Sequence, residues 1–524
     1  MRVGIVGAGV AGLATAKTLL QAGHEVVVFD KTPDVGGVWS ETRRYPGVTT
    51  QSARDTYGLS DFPMPRDYPE WPTGVQVQAW LAAYARNFDL DRHLRLDTEV
   101  VRASAGDAGW TLQLRDVRDG ARGTETVDRL VVANGVFCEP NVPQFPGADE
   151  FRAAGGRLLA ATEVHDAAEA EDKHVVVVGY GKSACDVTVE LSSVAASTDV
   201  IARQLLWKVP RKIAARINFK FLLLTRLGEA LFRYARLRGM EKFLHGPGNG
   251  LRRRMLNSLG TASVRQFRLK QLGLVPRGAM EDIVKGAIGL ASEGFFEGVE
   301  TGRIVVHRDA TIARLSAEDG LPYAELADGT RLRADLVVCA TGFQQGVPFL
   351  DPDVQDRLFD DRSNFLLYRQ ILPPEVSGLY FNGYNSSFFS PLNAEMAAVW
   401  IAAHLAGAVT VPPAPQMRQA VADQLAFMDE ATNRHHCRGT KIIPFSMKNV
   451  DEVLDDLGLN ISARTRAAHW LNVVNPSAYR GVTPALLRLL AARTVASPPE
   501  SRPGGAPPMP RRDPADQAAA RPVS

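Results

Sequence analysis

The chain has 524 residues, 45% of them hydrophobic and 23% charged, with a formal net charge of +2 at pH 7. That length exceeds a single ordinary core and suits two or three domains that fold without covalent staples. The near-neutral balance excludes a global drive toward nucleic acid, and no run of about 18 uncharged apolar residues is present to span a bilayer.

Residues 2–31 read as strand, glycine turn, helix and strand: "VGIV", "GAGVAG", "LATAKTLLQAG", "EVVVFD". In this pattern Gly7 permits the tight turn, Gly9 lets the backbone approach a pyrophosphate, and Gly12 allows close helix–strand packing. Asp30 ends the second strand, where a carboxylate accepts ribose hydroxyls; all four parts together mark a dinucleotide-binding unit. The first strand begins almost at Met1, with no basic segment and apolar stretch before it, so no secretory signal is expected. "DVGGVW", Asp34 to Trp39, places paired glycines just after the acid, where the chain turns back over the cofactor; this favours a flavin. An aromatic, proline-punctuated stretch follows, then an amphipathic helix around Val77 to Phe88. After "RLVVANGVFCE", Pro140, Pro143 and Pro146 read as an interdomain connector.

A second unit opens at "HVVVVGYGKSACD", His174 to Asp186, with Gly179, Gly181 and, at the third position, Ala184. Its second strand ends on Arg203 instead of an acid, which prefers a 2'-phosphate over a free 2'-hydroxyl. The alternative is that Arg203 only solvates a strand end. Asp199 precedes the strand's end and does not restore an NAD reading. Two unlike fingerprints predict two dinucleotides: FAD held tightly by the first and NADPH exchanging at the second.

Between Arg203 and Arg254 the only acids are Glu229 and Glu241. Within this span "INFKFLLLTRLGEALFRYARLRGMEKFL" is apolar and basic at helical spacing. It fits an interfacial helix touching anionic membrane near a substrate entrance, or a helix packed on the FAD unit with a solvated basic face. "GTRLRADLVVCATGF" repeats the pattern of "RLVVANGVF": an apolar strand ending in a small-x-Gly turn. "LYFNGYNSSFFSPLNAEMAAVWIAAHLAG" reads as strand, polar turn and apolar helix. "RHHC", Arg434 to Cys437, has adjacent side chains that diverge, so a structural or surface role is expected and no metal. From about Ser497 the Pro-, Ala-, Arg- and Gly-rich end reads as a disordered tail. The cysteines, Cys138, Cys185, Cys339 and Cys437, form no C-x-x-C pair, which fits a reduced, cytoplasmic setting and disfavours a disulfide reductase.

In this order the pieces resemble the class B flavin-dependent monooxygenases, most nearly the flavin-containing monooxygenases of amines and sulfides. The resemblance rests on "GAGVAGLA", "DVGGVW", "LSDFPMP", "WLAAYARNFDL", "VVANGVFCEPNVPQFPG", "GYGKSACD", "VVCATGF", "MKNVDEVLDDLGL" and "PSAYRG". It implies an α/β fold with two Rossmann-like domains. A larger FAD domain would come from 1–150 and 326–490, and an NADPH domain from 151–325 would be inserted into it, with a basic insertion at about 205–260. The implied chemistry is NADPH-driven flavin reduction, addition of O2 at flavin C4a, and transfer of one oxygen from the hydroperoxide to N, S or an activated carbon of a small lipophilic substrate. Such chemistry asks the protein mainly for positioning and water exclusion.

The resemblance assigns FAD contacts to Gly7, Gly9, Val10, Ala11, Gly12, Asp30, Lys31, Gly37, Val38 and Trp39. It assigns NADPH contacts to Gly179, Gly181, Lys182, Ser183, Ala184 and Arg203, adds Thr341 and Gly342 to the cofactor set, and puts the family's catalytic amide at Gln51, where relatives carry Asn. One departure stands out. Family members carry F-x-G-x-x-x-H before the NADPH strand, but "AGGRLLA" keeps only Gly156, with Ala154 for Phe and Ala160 for His; His165 lies nearby but off register. The sister Baeyer–Villiger enzymes use an Arg that "GAMEDIVKGAIGLASEGFFEGVETG" lacks. The competing readings are therefore an NADPH oxidase or dehydrogenase, a Baeyer–Villiger enzyme, and a non-catalytic dinucleotide sensor. Oligomeric state is not encoded in any of these motifs.

Overall fold

The computed structural model describes residues 1–285, 289–385, 387–433 and 445–496. The "RHHC" stretch, Cys437 and the tail from Ser497 lie outside them. Two five-stranded parallel sheets organise the chain. The first begins with β1 (Arg2–Val6), α1 (Val10–Gln21) and β2 (Glu25–Phe29). Strands at Leu94–Arg95, Arg129–Val132 and Leu379–Phe381 complete it, the last two stacking outward from β1. The second sheet is built around β3 (His174–Val178), α2 (Lys182–Leu191) and β4 (Ser197–Ala202). It adds Arg157–Ala160, Val305–Arg308 and Leu336–Cys339. Runs of valine form both centres because strands buried on both faces need continuous apolar, β-branched sequence.

The two look-alike motifs hold equivalent places. Arg129–Val132 pairs with β1, and Leu336–Cys339 pairs with β3 in the same sense. The second sheet therefore runs past residue 325, the boundary expected from sequence, to the end of the Leu336–Cys339 strand. Where the chain leaves and re-enters the first unit, Glu139–Pro140 pairs antiparallel with Phe343–Gln344, so the prolines around 140 mark a two-stranded connector.

The amphipathic helix spans Gly74–Asn87, opened by a capping box between Thr73 and Gln76. The apolar, basic stretch does not form one long helix. It breaks into Lys220–Leu223, Arg226–Ala230 and Met240–Leu244 before a long helix at Asn249–Gln266. The fold-back explains the break: a Cβ on Gly228 would lie 2.4 Å from the Leu222 carbonyl oxygen, and Thr225 caps the restart through the Gly228 amide at 2.9 Å. Among the described residues no helix is long and apolar enough to cross a membrane. Two further helices, α3 (Ser390–Leu405) and α4 (Ser446–Leu457), close the first unit, α3 packing along α1 with its first turns almost wholly buried.

Candidate functional site

Each glycine turn ends on a helix whose first amides receive no side-chain cap. Gly9 and Gly181 occupy the N-cap positions of α1 and α2 in extended backbone, leaving donors and the positive helix end for an anion. In the first unit the packing is tight. A Cβ on Gly12 would sit 1.8 Å from the Gly7 carbonyl oxygen, so this position admits only glycine. In the second unit Ala184 is accommodated, because its Cβ lies 3.5 Å from where a Cβ on Gly179 would fall.

A cavity of about 670 Å³ opens at the first cradle and is lined by Gly7, Gly9, Asp30, Gly37 and Trp39, with Val10, Ala11, Lys31 and Val38 on the same wall. It fits a flavin dinucleotide. Gly9 and Gly37 face each other so closely that a Cβ on Gly37 would lie 3.2 Å from the Gly9 Cα, leaving bare backbone for a pyrophosphate to approach. Asp30 accepts from the Ala8 amide (2.6 Å) and from the Thr32 amide and hydroxyl (2.9 and 2.8 Å). These bonds fix the carboxylate at the cavity wall and leave part of its acceptor capacity for ribose hydroxyls. Trp39 donates to Tyr57 Oη at 3.2 Å, and burial pushes the Tyr57 phenol up to about 12.

Sequence reasoning did not single out the far wall, which is built from Asn134 to Glu139, Gln344 to Phe349, and Asn385 and Ser390 at the entry to α3. Asn134 is held by Tyr384 Oη (2.7 Å) and the Gly346 carbonyl (3.0 Å). Thr341 and Gly342, assigned to the cofactor from sequence, are not among the lining residues: Thr341 donates to the Asn141 carbonyl, and the Gly342 carbonyl accepts from the Asn141 amide. The "LSDFP" motif also gains a physical role. Ser60 gives its amide and hydroxyl to the fully buried Glu395 of α3, both at 2.7 Å, while Asp61 pairs with the buried ammonium of Lys17 in α1. The motif thus locks α1 to α3, beneath the cradle.

At the second cradle Ser183 and Lys182 are engaged by protein groups. Ser183 Oγ accepts from Tyr45 Oη at 3.0 Å, and Lys182 pairs with Asp186 one turn along α2. Burial lowers the Lys182 ammonium below its ordinary value. Arg203 is exposed at the end of β4 and, among the described residues, has no hydrogen bond or ion pair. Asp199 is spent on His307 at 2.7 Å.

Gln51 does not line the first cavity; it lies against Gly289, next to Lys182 of the second cradle. Its amide oxygen accepts from the Leu290 amide at 3.3 Å, which leaves its amide nitrogen as an unused donor. Leu290 belongs to a short parallel pair, Lys208–Val209 with Gly289–Leu290. Beyond it lies an apolar cavity lined by Val209, Leu223, Leu259, Met280, Phe388 and Glu229, closed to about 30 Å³. Glu229 accepts from the Met447 and Lys448 amides at the start of α4 (2.8 and 2.9 Å), and burial pushes its carboxyl up to about 7.

Ala160 ends the Arg157–Ala160 strand, buried, and His165 is exposed, its amide bonded to Glu169. The aromatic partner of Gly156 is Phe151, whose ring lies 2.5 Å from a Cβ built there. Ala154 thus leaves no hole, because the ring arrives from one helical turn earlier.

The family model for flavin-binding monooxygenase-like proteins matches residues 1–243. Curated relatives include flavin-containing monooxygenase 3 of Macaca mulatta, 25% identical over 81% of this chain and 77% of that protein. Another is a putative flavin-containing monooxygenase 2 of Arabidopsis thaliana, 27% identical over 87% and 97%. Among solved structures, S-allyl-L-cysteine S-oxygenase from Allium sativum superposes with a TM-score of 0.60 at 20% identity, covering 94% of this chain and 98% of that one. Closed cyclohexanone monooxygenase gives a TM-score of 0.65 at 17% identity, over 87% and 96%. Residues 1–243 thus match the flavin-binding monooxygenase-like family model, and together with the curated relatives this supports a flavin monooxygenase that uses FAD and NADPH.

Proposed function

We propose that this enzyme oxygenates a heteroatom, N or S, of a small lipophilic substrate, using O2 and NADPH. The observation that carries the reading is the hydrogen bond tying Gln51 to Leu290, whose strand partner Val209 lines a small, mostly apolar cavity. FAD supplies the redox and oxygen-activating chemistry when bound. In this reading Gly7, Gly9, Gly12, Asp30, Gly37, Val38 and Trp39 hold FAD, and Gly179, Gly181 and Arg203 hold NADPH. Gln51, its carbonyl pinned by Leu290, offers an oriented N–H to an acceptor at the reaction centre. Val209, Leu223 and Phe388 keep the reacting atoms dry, and Met280 gives way as substrate enters. We further propose that residues 1–150 with those beyond about 340 form the FAD domain around the inserted NADPH domain.

A second reading, NADPH oxidation with peroxide release, is favoured by one observation: Ala160, where family members carry His, is buried at the end of its strand. NADPH consumption, oxygenated product and hydrogen peroxide measured together on tertiary amines, sulfides and ketones separate the readings. One product per NADPH with a sulfide or amine supports oxygenation; peroxide equal to NADPH with every substrate overturns it. Gln51→Ala should shift the balance toward peroxide.

A further inference from the structure

The mouth of the first cavity is marked by residues that both line it and meet solvent: Val38 and Phe137, 37% and 38% exposed, with Lys31 and Glu139. Contacts from two side chains cross this mouth. Arg43, in the turn after Gly37–Trp39, gives Nη2 to the Phe137 and Cys138 carbonyls at 2.5 and 3.0 Å. Lys31, which follows Asp30, pairs its ammonium with Glu139 at 2.9 Å. All five residues line the cavity. Both contacts end on the same three residues of the far wall, so they tie one wall to the other.

The backbone on each side is fixed. The Arg43 amide bonds the Ser40 carbonyl at 3.0 Å, and on the far wall Asn134 is held as described while Glu139–Pro140 pairs with Phe343–Gln344. The parts free to move are therefore the two long side chains, whose flexible stems swing at little cost once their ends are released. A guanidinium on carbonyl oxygens is a charge-assisted bond, whereas the exposed Lys31–Glu139 pair contributes less.

We propose that Arg43, assisted by the Lys31–Glu139 pair, is a bar across this mouth that sets how fast FAD enters and leaves. The proposal rests on the reading of this cavity as the FAD site. Every donor and acceptor of the bar is a protein group. Removing it lowers the barrier in both directions and leaves affinity nearly unchanged, whereas a side chain that touched the cofactor would change release and affinity together.

The test is FAD exchange on the purified holoenzyme, which requires no turnover. Exit is followed as excess 8-chloro-FAD replaces bound FAD, entry as deflavinated protein quenches FAD fluorescence, and Kd by titration. Arg43→Ala should speed both exit and entry about 10-fold, with Kd moved by less than about threefold. Lys31→Glu sets two carboxylates at the mouth and should speed both about 2- to 5-fold; adding Glu139→Lys should restore the wild-type rates. Asp30→Ala is the control for the site itself and should raise Kd. Melting temperature confirms that each variant is folded. Unchanged exit and entry in Arg43→Ala, beside a raised Kd in Asp30→Ala, overturns the bar and keeps the site; unchanged FAD binding in both overturns the site as well. Faster exit with unchanged entry and a Kd raised in proportion also overturns the bar, making Arg43 an FAD ligand. Failure of the charge exchange to restore the rates overturns the part given to Lys31 and Glu139.

Discussion

Tyr45 donates its phenolic hydroxyl to Ser183 Oγ at 3.0 Å, joining the loop after the first glycine cradle to the first turn of α2. The tyrosine ring packs into the core of the second sheet, and the same hydroxyl lies 3.5 Å from Asp186. The contact engages the side chain that sequence assigned to NADPH. Ser183 accepts this bond, so its own hydroxyl hydrogen stays available to donate to an anion.

Tyr45→Phe removes that donor. Losing one buried hydrogen bond should destabilise the protein by about 1 kcal/mol, read as a lower denaturation midpoint. NADP+ should bind about two- to fivefold more weakly, since the Tyr45 donor polarises and orients the Ser183 hydroxyl toward an acceptor. If titration shows affinity unchanged, Ser183 is not a phosphate ligand.

The third position of each glycine fingerprint should respond oppositely to size. Gly12→Ala forces a Cβ to 1.8 Å from the Gly7 carbonyl, so α1 must move off the sheet and the purified protein should lack flavin absorbance. Ala184→Gly loses only a buried methyl and should keep NADP+ affinity within about twofold, with a stability cost of about 1 kcal/mol. A yellow, FAD-replete Gly12→Ala protein would contradict this packing.

Arg203→Ala should lower the preference for NADPH over NADH by about 10- to 100-fold in kcat/KM, because a charge-assisted bond to phosphate is worth roughly 1.5–3 kcal/mol. Among the described residues the guanidinium has no hydrogen bond or ion pair, so the melting temperature should not change. Selectivity that survives the substitution assigns the 2'-phosphate elsewhere.

Glu229 gives a pH signature. Burial raises its carboxyl to about 7, against the opposing pull of the Met447 and Lys448 amides, so between its unfolded value and pH 7 the folded protein holds the extra proton. Stability contributed by this group is therefore full below about pH 4.5 and lost as pH rises toward 7, on the order of 3 kcal/mol in total. Denaturation midpoints from pH 5 to 8 should show that decline in wild type relative to Glu229→Gln. Parallel profiles would show that the carboxyl does not titrate in this range.

Much of this architecture is local and was therefore legible in the sequence. Gly7, Gly9 and Gly12 with Asp30, and Gly179 and Gly181 before a helix, encode strand–turn–helix units because backbone freedom and side-chain size are properties of single positions. The likeness of "VVANGVF" to "VVCATGF" likewise predicted equivalent strands. The continuous helix expected over the basic stretch failed for a tertiary reason: periodicity does not register the close approach of Gly228 to Leu222. Whether Ala154 leaves a gap depended on Phe151, three residues away in sequence but against Gly156 in space. The meeting of Gln51 with Leu290, the bond of Tyr45 to Ser183 and the packing of Arg211 on Trp71 join segments far apart along the chain. The sequence determined which cofactors the cradles suit, because that rests on local backbone shape and strand-end charge; only the tertiary structure decided which side chains are already spent and which remain for substrate, because hydrogen bonding and burial are settled by packing between distant segments.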